Sequence, residues 1–301
     1  MKIDVLTPHH LSALEKMLHA DNPGKRNAVS GFELNANSLT RQFWQDPDYE
    51  PELIVGAFDQ TRLLGFCAGV RRPWKPGRER TGFIKWVYVE PVRRREGIGT
   101  QLLAACESAL RTGGAVKLVY GSSAPRYIWP GVYKEDSATQ ALLNANGWRG
   151  SSERINLQLP LPCFKTDTQI NSGEFTVSPV RFEDRDDAAQ FLKSEFSTSW
   201  WRECEPIFER YHPAFGFAVR PEGVLIGFVA VHATNPSWLG PMGVRKDFRG
   251  HGIGRALLYA AVRESFVRES HRLTIPWVNE SFYHACLGTL ERQVFIKYKK
   301  D

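Results

Sequence analysis

Two short glycine motifs have the residue types and the spacing of a phosphate-binding loop. Each reads Arg-x-x-Gly-Ile-Gly, follows a predicted strand and precedes an apolar helix. Glycine lets the backbone approach a ligand closely, and the first turn of a helix offers unpaired N–H groups and the positive end of the helix dipole. The pattern therefore predicts two sites for a pyrophosphate group. The first motif is Arg94, Arg95, Glu96, Gly97, Ile98, Gly99 and Thr100, and the second is Arg249, Gly250, His251, Gly252, Ile253, Gly254 and Arg255.

The spacing of the two motifs separates them from the common nucleotide-binding loops. A nucleotide P-loop needs a Lys-Ser/Thr pair after its last glycine, and neither motif has one. The dinucleotide fingerprint needs a third glycine, but Leu102 and Leu257 stand in its place. Two interpretations are left: a loop for another pyrophosphate, or a tight glycine turn that binds no ligand.

The surroundings of the motifs are repeated as well, since Arg94 and Arg249 stand about one domain length apart. Ahead of each motif, two apolar runs separated by a turn predict a β-hairpin, and a third strand leads directly into the glycines. The hairpin strands are 53–58 and 63–70 in the first half and 215–219 and 224–231 in the second, and the third strands are Phe83–Val89 and Trp238–Val244.

Behind each motif, apolar residues recur at helical spacing, which predicts a helix there. In the first half this helix ends at Gly113-Gly114, a common helix-ending pair. A strand, a short helix and a last strand follow in each half, and this alternation predicts a mixed α/β sheet. The predicted domains are 1–159 and 174–301, joined by a polar linker over 160–173.

The composition is that of a soluble protein with real cores. Of 301 residues, 42% are hydrophobic and 24% are charged, with a formal net charge of +6. No apolar run is long enough for a membrane span and the N-terminus lacks a signal-peptide pattern, so a cytoplasmic protein with no membrane partner is expected. The positive charge is dispersed and no nucleic-acid motif is present, so no nucleic-acid partner is expected.

The cysteines lack the spacing of metal ligands, which predicts no metal site; they are Cys67, Cys106, Cys163, Cys204 and Cys286.

Arg-x-x-Gly-x-Gly between a strand and a helix resembles the acetyl-CoA loop of the GNAT superfamily of acyltransferases. Leu239–Val244 resembles the fourth strand of that family, and Asn146-Gly147-Trp148 resembles its ending after the last helix. The resemblance covers about residues 1–159 and 174–301. It implies an α/β chain of two tandem GNAT-like domains, each with a mixed, mostly antiparallel sheet flanked by helices. The tandem arrangement is similar to that of mycothiol synthase, whose substrate is not implied for this chain.

The resemblance also implies acetyl-CoA as co-substrate. Its pantetheine arm would pair with the fourth strand, at Val87, Tyr88 and Val89 in the first half and at Met242, Gly243 and Val244 in the second. Its pyrophosphate would lie on the glycine motif, over 94–100 or 249–255.

In this superfamily an acceptor amine attacks the thioester directly, and an acid then protonates the departing CoA thiolate. Tyr283 resembles the acid that many members carry on the last helix, although it stands five residues before Gly288 rather than four. A packed helix aromatic is the other interpretation of Tyr283. Because the first half has no acid at the matching place, the expected function is transfer of an acetyl group to an amine of a small acceptor in the C-terminal domain.

A second hypothesis belongs to another class: a non-catalytic, acyl-CoA-binding regulatory protein, which would keep both loops without turnover. Trp200-Trp201 falls in the region that often lines the acceptor site in this superfamily, and the aromatic loop 125–131 is interpreted as a contact to the other domain. Interdomain or core packing is the commoner explanation for such aromatics. A monomer is expected, because the internal copy can cover the surface that single-domain relatives use for dimerisation. The acceptor, the acyl chain length and the occupancy of the first loop stay open at this point.

Overall fold

The computed structural model describes residues 1–20, 34–73, 77, 79–161, 175–210, 212–268 and 271–301. The chain divides into unit 1, Met1–Arg154 with Val294–Asp301, and unit 2, Ile155–Gln293. These units differ in their bounds from the predicted domains 1–159 and 174–301, because part of the last strand of each half belongs to the other unit. Most of the predicted linker 160–173, including Cys163, lies outside the described residues.

Unit 1 is built on a mixed sheet. Its strands are β1 (Lys2–Val5), β2 (Ile54–Asp59), β3 (Arg62–Arg71), β4 (Thr81–Val89), β5 (Lys117–Tyr120), β6 (Val132–Tyr133), the first part of β7 (Arg149–Pro160) and most of β13 (Glu291–Lys300). They follow the order β1–β2–β3–β4–β5–β13, with β7 next to β13 and β6 also paired with it. Strands β4 and β5 are parallel, whereas β1 to β4 form an antiparallel meander. The predicted hairpin over 53–70 is thereby confirmed.

Four helices cover the two faces of this sheet in the described part of unit 1: α1 (Leu11–Ala20), α2 (Ala36–Phe43), α3 (Ile98–Thr112) and α4 (Ser137–Ala145). The apolar stripe of α3 packs against one face, through Leu102, Leu103, Cys106 and Leu110. Helices α1 and α2 pack against the other face with residues such as Leu14 and Phe43. Because both faces are covered, β3 is buried over almost its whole length, as expected for a central strand. Helix α3 ends at Gly113, as the sequence predicts.

The last strand of the chain completes unit 1. Tyr298 and Lys300 of β13 lie opposite Tyr120 and Leu118 of β5 in antiparallel register. The Lys300 ammonium is 2.6 Å from Glu107 on α3, and the same carboxylate accepts a 2.6 Å hydrogen bond from the Trp148 indole. The strand is therefore fastened by backbone pairing and by a charged contact.

Unit 2 repeats this plan. Its elements are β8 (Val177–Pro179), α5 (Arg185–Glu195), α6 (Thr198–Cys204), β9 (Phe215–Val219), β10 (Gly227–Val231), β11 (Leu239–Val244), α7 (Ile253–Val267), β12 (Arg272–Ile275) and α8 (Glu280–Leu287). Strands β8 to β11 form an antiparallel sheet in the order β11–β10–β9–β8. The second part of β7 pairs antiparallel with β12, with Leu159 opposite Leu273. Residues 155–160, from the first half of the sequence, therefore belong to unit 2, and residues 294–301, from the second half, belong to unit 1.

The α/β class predicted from the sequence, with mixed, mostly antiparallel pairing and flanking helices, is confirmed in both units. Among the helices that the structure describes, none is long and apolar enough to cross a membrane.

Candidate functional site

The first glycine motif forms a tight turn between β4 and α3. Gly97 is the residue before the helix and has φ +79°, in the left-handed region where glycine is favoured. The Arg94 guanidinium turns back and donates a 3.0 Å hydrogen bond to the carbonyl of Val89, at the end of β4. The first intrahelical bond runs from the Gln101 amide to the Gly97 carbonyl. The amide groups ahead of Gln101 therefore face the turn with no partner in the helix, as an anion site requires.

The second motif has the same geometry between β11 and α7. Gly252 has φ +78°, and the Arg249 guanidinium donates a 3.1 Å hydrogen bond to the carbonyl of Val244. The Ala256 amide bonds to the Gly252 carbonyl at 3.0 Å, which starts the helix in the same way. The repeat seen in the sequence is therefore a repeat of backbone conformation, including the arginine that fixes the loop.

The second glycine of each Gly-Ile-Gly lies below a helix. A Cβ on Gly99 would lie 3.1 Å from Leu142 of α4, which is tighter than usual, whereas a Cβ on Gly254 would lie at an ordinary contact distance of 3.4 Å from Phe282 of α8. Ile98 and Ile253, by contrast, are buried in the two cores and hold the loop down. The motif thus combines a backbone cradle with an apolar anchor.

In unit 1 the strands beside the loop separate and open a fork. Strands β4 and β5 are paired from Thr81 opposite Lys117 to Ile84 opposite Tyr120, and no further. On the other side of β4 the pairing with β3 skips one residue, so that Lys85 is an extra residue at a β-bulge. Beyond the bulge, residues Trp86–Val89 of β4 are no longer paired with β5.

A cavity of about 550 Å³ fills this fork. It runs from the glycine loop, past the edge of β4, to the point where β4 and β5 meet, and α4 closes its side. Its lining includes Val87, Tyr88, Val89, Arg94, Arg95, Gly97, Gly99 and Thr100 from the predicted site, and Trp86, Tyr120, Trp129, Tyr133 and Asp136, which the sequence did not assign to it. Arginines lie at the loop end and aromatic side chains at the fork end.

Two predicted residues of the first motif lie outside this lining. Glu96 forms an ion pair with Arg93, at 2.9 Å, on the outer side of the loop, and Ile98 belongs to the core. Asp136 caps α4 by accepting a 3.0 Å hydrogen bond from the Thr139 amide. The arginines and the helix terminus therefore make the loop end positive, which favours a phosphate ligand.

In unit 2 the surroundings of β11, the strand that leads into the second glycine loop, differ from those of β4 in unit 1. Strands β11 and β12 meet at one bridge, between Trp238 and Thr274, and then part. On the outer face of β11, Phe196 and Trp200 are stacked with ring centroids 4.4 Å apart. A Cβ on Gly243 would lie under 3.0 Å from the rings of Phe196 and Trp200, so these rings cover one face of the strand at Gly243. Met242 and Val244 pack against the core on the opposite face.

Tyr283 lies on α8 and packs against the core of unit 2, with its ring 5.1 Å from that of Phe282. Burial raises the pKa of the Tyr283 hydroxyl well above its usual value, so the phenol keeps its proton at neutral pH. A retained proton suits an acid, whereas the apolar surroundings suit a packed aromatic. Both interpretations of Tyr283 therefore stay open.

The model of the acetyltransferase (GNAT) family matches the sequence twice, over residues 14–124 and 185–289. These two regions contain both glycine loops and the strands that lead into them. Fold, loops and family model agree, and the chain belongs to the GNAT family, with two copies of the family's domain in tandem.

Solved structures with the same fold cover the whole chain at low identity. A glucosamine N-acetyltransferase region of a fungal multi-domain GH3 β-N-acetylglucosaminidase aligns over 99% of this chain with TM-score 0.79 and 18% identity, and this chain spans 38% of that protein. A tandem GNAT protein from the clavulanic acid biosynthesis pathway aligns over 99% of this chain and 98% of its own, with TM-score 0.71 and 16% identity. A GCN5-related N-acetyltransferase from Sphaerobacter thermophilus aligns over 99% and 95%, with TM-score 0.68 and 15% identity. The comparison with curated proteins gives no match.

Proposed function

We propose that this chain transfers an acetyl group from acetyl-CoA to an amine of a small acceptor, and that the reaction takes place in the cavity of unit 1. The observation that carries the proposal is the cavity itself, which joins a preformed glycine loop to the fork between β4 and β5. The location departs from the sequence-based expectation of a C-terminal active site, because the cavity that reaches from a glycine loop to a strand fork is lined by residues of unit 1.

In this proposal the loop binds the pyrophosphate of CoA. The free amides of the first turn of α3 and the guanidinium of Arg95 face the anion, while Arg94 holds the loop to β4. The pantetheine arm pairs with β4 at Val87–Val89, where β5 no longer does, as an added strand would. The thioester then lies towards the fork end of the cavity.

The chemical step is a direct attack of the amine nitrogen on the thioester carbonyl carbon. The C–N bond forms, the C–S bond breaks, the CoA sulfur leaves as a thiolate, and the amine gives its proton to solvent water. A backbone N–H of β4 polarises the carbonyl, and fixing both partners in one cavity supplies the entropic part of the acceleration. Tyr120 is the candidate that protonates the thiolate and then regains a proton from solvent, since this buried residue lines the cavity where β4 and β5 meet.

Native mass spectrometry with acetyl-CoA tests which loop binds. Gly97 and Gly252 have the same left-handed φ, +79° and +78°, so a valine at either position introduces the same backbone strain. We expect one acetyl-CoA per chain in the unchanged protein, loss of binding in Gly97→Val and retained binding in Gly252→Val. The reverse result would place the site in unit 2, and no binding in the unchanged protein would remove acyl-CoA chemistry altogether.

A turnover assay separates the enzyme from the alternative regulatory protein. Release of free CoA thiol is followed with acetyl-CoA and a panel of primary amines. Amine-dependent thiol release that disappears in Gly97→Val supports the acyltransferase. Tight binding with no release for any amine in the panel favours the non-catalytic acyl-CoA-binding protein.

A further inference from the structure

A buried ion cluster lies behind the fork of unit 1. The carboxylate of Asp46 contacts the ammonium of Lys85 at 2.6 Å, and it accepts a 2.8 Å hydrogen bond from the guanidinium of Arg72. The side chains of Asp46 and Lys85 are 2% and 1% exposed, and that of Arg72 is 11% exposed. Burial would raise the pKa of Asp46, but the charges of Lys85 and Arg72 hold it well below its usual range, so the carboxylate stays ionised.

Arg72 connects this cluster to the loop that follows β5. Its guanidinium donates hydrogen bonds to the backbone carbonyls of Ser123 and Arg126, the latter at 3.2 Å. The loop is closed on itself as well, because the Ser122 amide donates to the Trp129 carbonyl at 2.9 Å and the Ser123 hydroxyl donates to the Arg126 carbonyl at 2.9 Å. Arg72, which is itself held by buried charge, therefore fixes the middle of this loop, while the Gly121 amide ties its start to the Ile84 carbonyl of β4.

Trp129 is the residue that this loop places in the cavity. Its ring stands edge to face with that of Trp86, at a centroid distance of 5.6 Å and an angle of 83°. Both side chains line the cavity. Trp86 stands two residues beyond Ile84, where β4 parts from β5, so the two indoles lie at the fork end rather than at the loop end. In the proposed binding mode the acyl group points towards this end.

We propose that Trp129 and Trp86 close the fork end of the cavity and restrict the acyl-CoA to a short acyl chain, and that Arg72 is the positioning residue that holds Trp129 in place. The inference rests on the proposed function, since it assumes that acyl-CoA occupies this cavity. Two packed indoles leave little room for added methylenes, because well-packed side chains cannot give way without strain. Removal of the Trp129 indole would instead raise the affinity for the acyl-CoA about fourfold for each methylene that finds apolar contact.

The test uses three probes, CoA, acetyl-CoA and hexanoyl-CoA, and measures their dissociation constants by calorimetry. For the full, unchanged chain we expect hexanoyl-CoA to bind about tenfold or more weakly than acetyl-CoA. Trp129→Ala should remove this preference or reverse it, with CoA binding unchanged. Arg72→Lys keeps the charge beside Asp46 but cannot reach both loop carbonyls, so it should shift the ratio in the same direction by about threefold or more.

Arg71→Lys is the matched control, because the neighbouring Arg71 pairs with Glu50 instead of the loop. It should leave the hexanoyl-to-acetyl ratio as it is. A merely structural role for Arg72 would weaken all three probes alike and would overturn the positioning assignment. Equal affinity for both acyl-CoAs in the unchanged chain, or an unchanged ratio in Trp129→Ala, would contradict the proposal that Trp129 and Trp86 limit the acyl chain. If none of the three probes binds the unchanged chain, the proposed function itself fails.

Discussion

At the scale of single residues, four phenols are candidates for the role of the acid. Tyr88, Tyr120 and Tyr133 line the cavity of unit 1, and Tyr120 is at the same time a residue of its core. Tyr283, the residue that the sequence favours, packs against the core of unit 2. We expect Tyr120→Phe to lower kcat by about tenfold to a hundredfold with little change in the Kd for acetyl-CoA, because the thiolate would lose its proton donor. Tyr133→Phe is the matched control in the same cavity and should leave kcat nearly unchanged. Tyr283→Phe should leave it unchanged too; a loss of turnover confined to that variant would return the chemistry to the C-terminal half.

At this scale the sequence alone predicts most residues of the two glycine loops but few of the residues that line the cavity. The glycines, the loop arginines and the strands before them form a local pattern, so Gly97 and Gly252 were placed correctly by spacing. Trp86, Tyr120 and Trp129 come together only because β4 and β5 part and a loop folds back. The aromatic loop 125–131 is the signal that the sequence contains, but packing is the commoner explanation for such aromatics.

At the scale of an element, the turn between β10 and β11 carries a titratable group. The Nδ1 atom of His232 accepts a 2.9 Å hydrogen bond from the Ser237 amide, and its ring lies 5.4 Å from that of Phe215. Burial, with a smaller contribution from Arg268, lowers the pKa of His232 from 6.5 to about 4. Between these values the folded chain keeps the imidazole neutral while the unfolded chain takes up a proton.

The free energy of unfolding should therefore fall as the pH drops from about 6.5 to about 4, by up to about 3 kcal/mol from this residue, and level off below. Urea unfolding at several pH values measures the slope, and His232→Gln should flatten it. Replacing the exposed His251 by Gln is the control, and it should leave the slope in place. If the His232 variant keeps the full slope, another group controls the acid stability.

Element pairing shows where sequence-based prediction ends. The predicted strands 215–219 and 83–89 are found as β9 and β4 within two residues, because periodicity is a local property. The partner of a strand is not local. The last strand of each half was expected in its own domain, yet residues 157–160 of β7 pair with β12, and residues 298–300 of β13 pair with β5. No spacing in the sequence distinguishes these two arrangements.

At the scale of the whole molecule, the binding cavity depends on residues at the far end of the sequence. Val132 of β6 lines the cavity and pairs with Ile296 of β13, next to Phe295 opposite Tyr133. Removal of residues 294–301 should therefore abolish acetyl-CoA binding and lower the thermal unfolding temperature, although every glycine-loop residue is kept. Lys300→Ala removes only the contact with Glu107 and should cost about 1 kcal/mol or less with binding retained. Normal binding by the shortened chain would contradict the role of β13.

The exchange of strands also sets an order of events during synthesis. Residues 1–154 leave the ribosome first, but the unit they belong to receives its last strand only after all of unit 2 has been made. Until then β5 presents an unpaired edge on the side that Tyr298 and Lys300 will cover, and such an edge invites wrong pairing with other chains. The half that is translated first is thus the half that finishes folding last, and the nascent chain has most need of a chaperone during that interval.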